Sequence, residues 1–114
     1  MGLLPRRRPR VGVTRGADPA DLHHLEGWLS TRRGVEGFIE PQTFHTQTTL
    51  LLVAVDGEWT RRRVPSPEWA REFAGKRGLP VYDAGLVGIP DRMREWNRRN
   101  KQTGAEGRTE SDGG

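Results

Sequence analysis

Ten residues, Thr46 to Val55, constrain this chain more than any others. They run through Leu50, Leu51, Leu52 and Val53 without a charged residue. A strand with one face in water alternates apolar and polar side chains, whereas an uninterrupted run of leucine and β-branched residues suits a buried central strand. The run ends at Asp56-Gly57, a dipeptide that supplies the positive φ angles of a tight hairpin turn. Glu58 to Val64 is therefore expected to return as the hairpin partner. On it Trp59, Arg61 and Arg63 share one face and Thr60, Arg62 and Val64 the other. Most of that pattern is polar, which places the return strand at or near a sheet edge.

The elements around the hairpin read clearly. Asp18 is suited to cap a helix, Pro19 to open it, and Asp21 to face the positive end of its dipole. Leu22, Leu25 and Leu29 follow at helical spacing with Trp28 beside them, and Gly34 supplies the stop. Phe38 and Ile39 form a short extended piece that breaks at Pro41. After the hairpin, Ser66 caps and Pro67 opens a second helix that carries Trp69, Ala70, Phe73 and Ala74 on one face, with Gly75 and Gly78 at its end. Leu79 to Val87 reads as a further strand, completing a β-α-β unit. It should run parallel to Glu58 to Val64, either adjacent to it or one strand away across Thr46 to Val55. Gly88-Ile89-Pro90 closes it, and a third helix is expected from about Asp91 to Lys101, with Met93 and Trp96 facing inward. The fold class is α+β, or small α/β: a single three- to four-stranded sheet with a β-hairpin, a β-α-β unit and three helices.

With 114 residues, one core is all the chain has length for. Charge divides it further. Residues 1–16 carry five arginines and no acid, and residues 102–114 carry one arginine against three acids, so the body from 17 to 101 has a net charge of only +1. The arm holds little apolar area to offset the entropy of ordering, and the tail has no packing residue. Both ends, 1–16 basic and 102–114 acidic, are expected to be disordered around a single domain spanning 17–101.

Several function classes drop out on composition. With no cysteine the chain has no disulfide, no thiolate nucleophile and no cysteine-based zinc site. No apolar run is long enough to span a bilayer, and Leu3-Leu4 before Pro5 is too short for a secretory signal, so the expected address is cytoplasmic.

The motifs that suggest chemistry have ordinary readings. His23 and His24 are neighbours on a helix and point apart, and His45 lies on a distant extended segment, so surface or boundary histidines are expected rather than a metal site. Gly85 and Gly88 stand between a strand and a helix, where a phosphate-binding loop would sit, but the rest of the glycine fingerprint is missing. A turn and a helix stop explain them, and no cofactor is expected. Asp56 with Glu58 belongs to the hairpin turn. Asp83, beside Tyr82, is the one acid of an apolar strand and suits a capping role at the strand end.

What remains is arginine. The basic arm, the run Arg61-Arg62-Arg63 beside Trp59, and the helix carrying Arg92, Arg94, Arg98 and Arg99 beside Trp96 are the least ordinary features of the chain. Arginines with exposed aromatics contact phosphates and stack on bases; arginines balanced by acids around a buried Trp96 are simply a solvated face. Trp59, Arg61, Arg63, Arg92, Arg94, Trp96, Arg98 and Arg99 are accordingly the candidate partner-binding residues. The partner is an acidic protein surface or a nucleic acid.

The stretch from 34 to 99, through Asp56-Gly57-Glu58-Trp59-Thr60-Arg61-Arg62-Arg63, Pro80-Val81-Tyr82-Asp83 and Pro90 with Arg92-Met93-Arg94, resembles a family of small uncharacterised proteins of high-GC Gram-positive (actinobacterial) bacteria. The resemblance implies no activity, and the loose oxidoreductase label that some members carry has no supporting motif here. Three functions are thus in view: a non-catalytic accessory module holding an acidic partner, a direct RNA- or DNA-binding protein, and a small nucleotide- or flavin-dependent enzyme with its cofactor near Gly85 to Gly88.

Overall fold

A computed structural model describes residues 16–101. The readings of residues 1–16 as a basic arm and 102–114 as an acidic tail lie outside the described residues, Gly16 excepted. The elements in chain order are α1 (Pro19–Ser30), β1 (Glu36–Glu40), β2 (Thr49–Val53), β3 (Trp59–Arg63), α2 (Pro67–Lys76), β4 (Val81–Asp83), a single turn α3 (Ala84–Val87) and α4 (Asp91–Lys101). They build one mixed sheet in the order β3-β2-β1-β4. β1 pairs antiparallel with β2 and parallel with β4, and β2 pairs antiparallel with β3.

The helix starts follow from their caps. The Asp18 carboxylate accepts from the Ala20 amide at 2.8 Å, and the Ser66 hydroxyl accepts from the Trp69 amide at 3.0 Å, each just ahead of a proline that opens its helix.

β2 is the centre of the molecule. Leu50 and Leu52 face a core built with Leu25 and Trp28 of α1, Ile39 of β1, and Trp69, Ala70 and Phe73 of α2. Leu51 and Val53 face the opposite core, with Phe38, Trp59, and Met93 and Trp96 of α4. A strand with helices on both sides has no solvated face, which is why its sequence shows no alternation. The chain is a three-layer structure, with α1 and α2 on one side of the sheet and α4 on the other.

Several features differ from the sequence reading. The strand expected over Leu79 to Val87 is confined to Val81–Asp83, because the Asp83 carboxylate turns back to accept from the Gly85 amide at 2.8 Å and starts α3. Gly88, at φ 76°, closes that turn. The new strand is parallel in sense to β3, as expected, but it lies neither beside β3 nor one strand away. It joins the far edge, against β1, so α2 carries the chain across both β2 and β1. The short piece around Phe38 and Ile39 is an interior strand rather than a fragment.

Candidate partner-binding surface

The parity of β3 decides which arginines go where. Trp59, Arg61 and Arg63 point to the α4 side of the sheet, and Thr60, Arg62 and Val64 to the α1 side. Trp59 is covered by α4: it is 5% exposed, and its indole N–H donates to the Asn97 side-chain oxygen at 2.6 Å. Arg61, one pleat further on, lies beyond that cover. Its guanidinium donates twice to Glu40, at 2.8 and 3.0 Å, and stands 5.3 Å from the Trp59 ring centroid. The Thr49 hydroxyl adds a third contact to the same carboxylate at 2.5 Å. On the other face Arg62 reaches Asp21 of α1 at 3.6 Å. Arg63 is exposed and has no ion-pair partner among the described residues.

The arginines of α4 divide in the same way between holding the fold and facing water. Arg92 is a tether: its guanidinium donates to the Ala54 carbonyl at 2.9 Å, to Glu36 at 2.7 Å and to the Val53 carbonyl at 3.4 Å, which fixes the start of the helix over the hairpin. Arg99 does the same further along, donating to the Asp56 carbonyl at 3.1 Å. Arg94 and Arg98 are exposed and form ion pairs with Asp91 and Glu95 three residues earlier, and Arg94 also donates to the Ile89 carbonyl just ahead of the helix at 3.4 Å. Such exposed pairs contribute little stability and leave the guanidinium accessible. Met93 and Trp96 form the inward pair, 3% and 8% exposed.

Of the eight candidate residues, then, Trp59 and Trp96 are fold anchors with no ring face open to a partner, and Arg92 is committed to the hairpin. Arg63, Arg94 and Arg98 offer charge to solvent on the α4 side; Arg99 is exposed but also bonded to the Asp56 carbonyl, and Arg61 is paired with Glu40. The near-neutral body hides a segregation. β3 and α4 together hold eight cations and two acids, while the remainder of residues 17–101 holds five cations and ten acids, of which Asp21, Glu36 and Glu40 pair with Arg62, Arg92 and Arg61.

One pairing was not foreseen. The His24 imidazole Nε2 lies 2.6 Å from the Thr60 hydroxyl, joining α1 to β3. Its pKa is lowered from the ordinary imidazole value, first by burial and then by Arg62 and Arg32, with Asp21 opposing. A hydroxyl beside an imidazole is the start of a nucleophilic site, but Thr60 is 1% exposed, which closes it to substrate. No sequence signal could have paired two residues 36 positions apart. His23 and His45 are exposed, and among the described residues no group of three potential ligands is placed to hold a metal. Asp83 is spent on its cap.

A polar cavity of about 480 Å³ opens between the start of α1 and the end of β3, lined by Asp18, Asp21, Gln42, Gln47, Thr48 and Arg63 among others. Asp18 is used by the α1 cap and Asp21 by Arg62. No helix among the described residues is long and apolar enough to cross a membrane. Comparison with known proteins adds nothing to this geometry: no family model, no curated protein and no solved structure matches the chain.

Proposed function

We propose that this chain is a non-catalytic binding module that holds an acidic protein surface against the arginines of β3 and the outer face of α4. The observation that carries this reading is the charge segregation: the edge strand β3 and the helix α4 concentrate the positive charge of a body that is almost neutral as a whole. Complementary potentials of this kind steer association and select partners more than they add affinity. Burial of Trp59 and Trp96 counts against direct RNA or DNA binding, because it removes the two tryptophans beside these arginines as stacking platforms for single strands. The cap made by Asp83 and the four-residue length of α3 count in the same way against a nucleotide or flavin cofactor at Gly85 to Gly88. The cysteine-free composition supports a cytoplasmic setting, and the resemblance to actinobacterial proteins of unassigned activity is compatible with an accessory role.

The test is affinity capture from native lysate of the resembling group of bacteria, with and without nuclease, by the wild-type chain and by an Arg63→Glu, Arg98→Glu variant. The reading predicts acidic proteins that survive nuclease and are lost with the variant. Retention of nucleic acid alone, removed by nuclease, would instead establish the RNA or DNA reading.

A further inference from the structure

Among the described residues the outer edge of β3 is unpaired, and its geometry is specific enough to say what fits. In the β2–β3 ladder the Ala54 amide donates to the Glu58 carbonyl at 2.8 Å and the Val64 amide donates to the Thr48 carbonyl at 3.0 Å. Hydrogen-bonded pairs in an antiparallel ladder alternate with non-bonded ones. Given the register Trp59↔Val53, Arg61↔Leu51 and Arg63↔Thr49, the inward-bonded residues of β3 are Glu58, Thr60, Arg62 and Val64. The amides and carbonyls of Trp59, Arg61 and Arg63 therefore point away from the sheet, and among the described residues nothing bonds them. Native proteins blunt such an edge with charge, and three consecutive arginines do that here against another basic strand.

We propose that this edge takes up an extended acidic peptide segment as a fifth strand of the sheet, a proposal that rests on the acidic-partner reading above. In strand addition the main chain supplies affinity and alternate side chains supply specificity. An antiparallel segment bonded to the Arg61 and Arg63 main chain places its opposite residues on the α4 side, beside those two guanidinium groups. Arg61 is already held by Glu40, so Arg63, exposed and without an ion pair, is the cation that selects a carboxylate. Every second residue of the incoming strand is then acidic. The same geometry disfavours a second copy as the occupant, because full-length pairing of β3 with its own twin sets Arg61 directly against Arg61.

The test uses the full chain and a fluorescein-labelled eight-residue peptide of alternating Thr and Glu. A second version is N-methylated at every other residue, on the amides that face β3, which keeps its charge and removes its edge-pairing donors. Anisotropy measures affinity, and hydrogen exchange followed by NMR reports the Trp59, Arg61 and Arg63 amides. The expected result is binding of the plain peptide with slowed exchange at those three amides, roughly tenfold weaker binding of the N-methylated version, and a comparable loss with Arg63→Glu. Equal binding of both peptides with unchanged exchange would overturn strand addition while leaving the acidic-partner reading in place. Binding of neither peptide would overturn both. Slow exchange of these amides without peptide, together with a dimer in sedimentation, would assign the edge to a second copy and also overturn the proposal.

Discussion

Gly57 sits against the carbonyl of Arg92 so closely that a Cβ at position 57 would come within 2.1 Å of that oxygen, with the Trp96 Cβ at 3.0 Å. The hairpin turn is thus also the seat of α4. Position 57 has φ 96°, a conformation that glycine adopts freely and L side chains rarely do. Turn chemistry and helix docking require the same residue.

Gly57→Ala is accordingly expected to destabilise the chain by about 3 kcal/mol, combining backbone strain with displacement of α4. Urea unfolding followed by Trp fluorescence measures it. A change within about 0.5 kcal/mol would mean that α4 is not seated on the turn.

Arg92 and Arg94 are two residues apart and should behave differently. Arg92→Ala leaves the Ala54 carbonyl and Glu36 without their donor and is expected to cost about 2 kcal/mol. Arg94→Ala removes an exposed pair with Asp91 and an exposed 3.4 Å bond to the Ile89 carbonyl, so its cost should stay within about 0.5 kcal/mol. Parallel denaturant curves decide the matter, and similar losses for the two variants would refute the tether.

Trp96→Ala should cost about 3–5 kcal/mol, as large-to-small changes at buried aromatic sites do. Loss of near-UV circular dichroism or of cooperative unfolding would report it. A variant that kept wild-type stability would show that the ring is not packed in the core.

His24 gives the fold a pH dependence with a definite sign. Burial and Arg62 favour its neutral form, so the folded state binds protons less readily than the unfolded state. Stability from this group is fully present above the ordinary imidazole value of about 6.5 and is lost as pH falls through it toward the lowered folded-state value. Urea midpoints measured between pH 7.5 and 5.5 should decline, and His24→Gln should flatten the slope. An increase in stability on acidification would reverse the assignment.

The parts of this fold that could be read from the chain are those fixed locally. Asp18-Pro19 and Ser66-Pro67 announce their helices because cap and first turn lie within a few residues, and Asp56-Gly57 announces the hairpin for the same reason. The face assignment of β3 follows from strict alternation once the turn is placed. Strand order was not legible: nothing near Val81 to Asp83 encodes a choice of β1 over the other side of the hairpin, because that choice rests on contacts formed across the whole sheet. Nor was the division of the arginines. Arg92 and Arg94 look alike in sequence, and only the position of the Ala54 carbonyl makes one a tether and leaves the other in solvent. The placement of Trp59 under α4 depends likewise on where Asn97 comes to rest.

In the proposed function a localised arginine surface, rather than net charge, holds the partner. Arg63 of β3 and Arg71 of α2 are both exposed and lie on opposite sides of the sheet, so charge reversal at either changes net charge equally. Titration of an alternating Thr-Glu peptide against wild type, Arg63→Glu and Arg71→Glu at about 0.15 M salt compares them directly. A localised surface predicts a loss of roughly tenfold for Arg63→Glu, with Arg71→Glu indistinguishable from wild type. Equal losses for the two variants, or none for either, would contradict it.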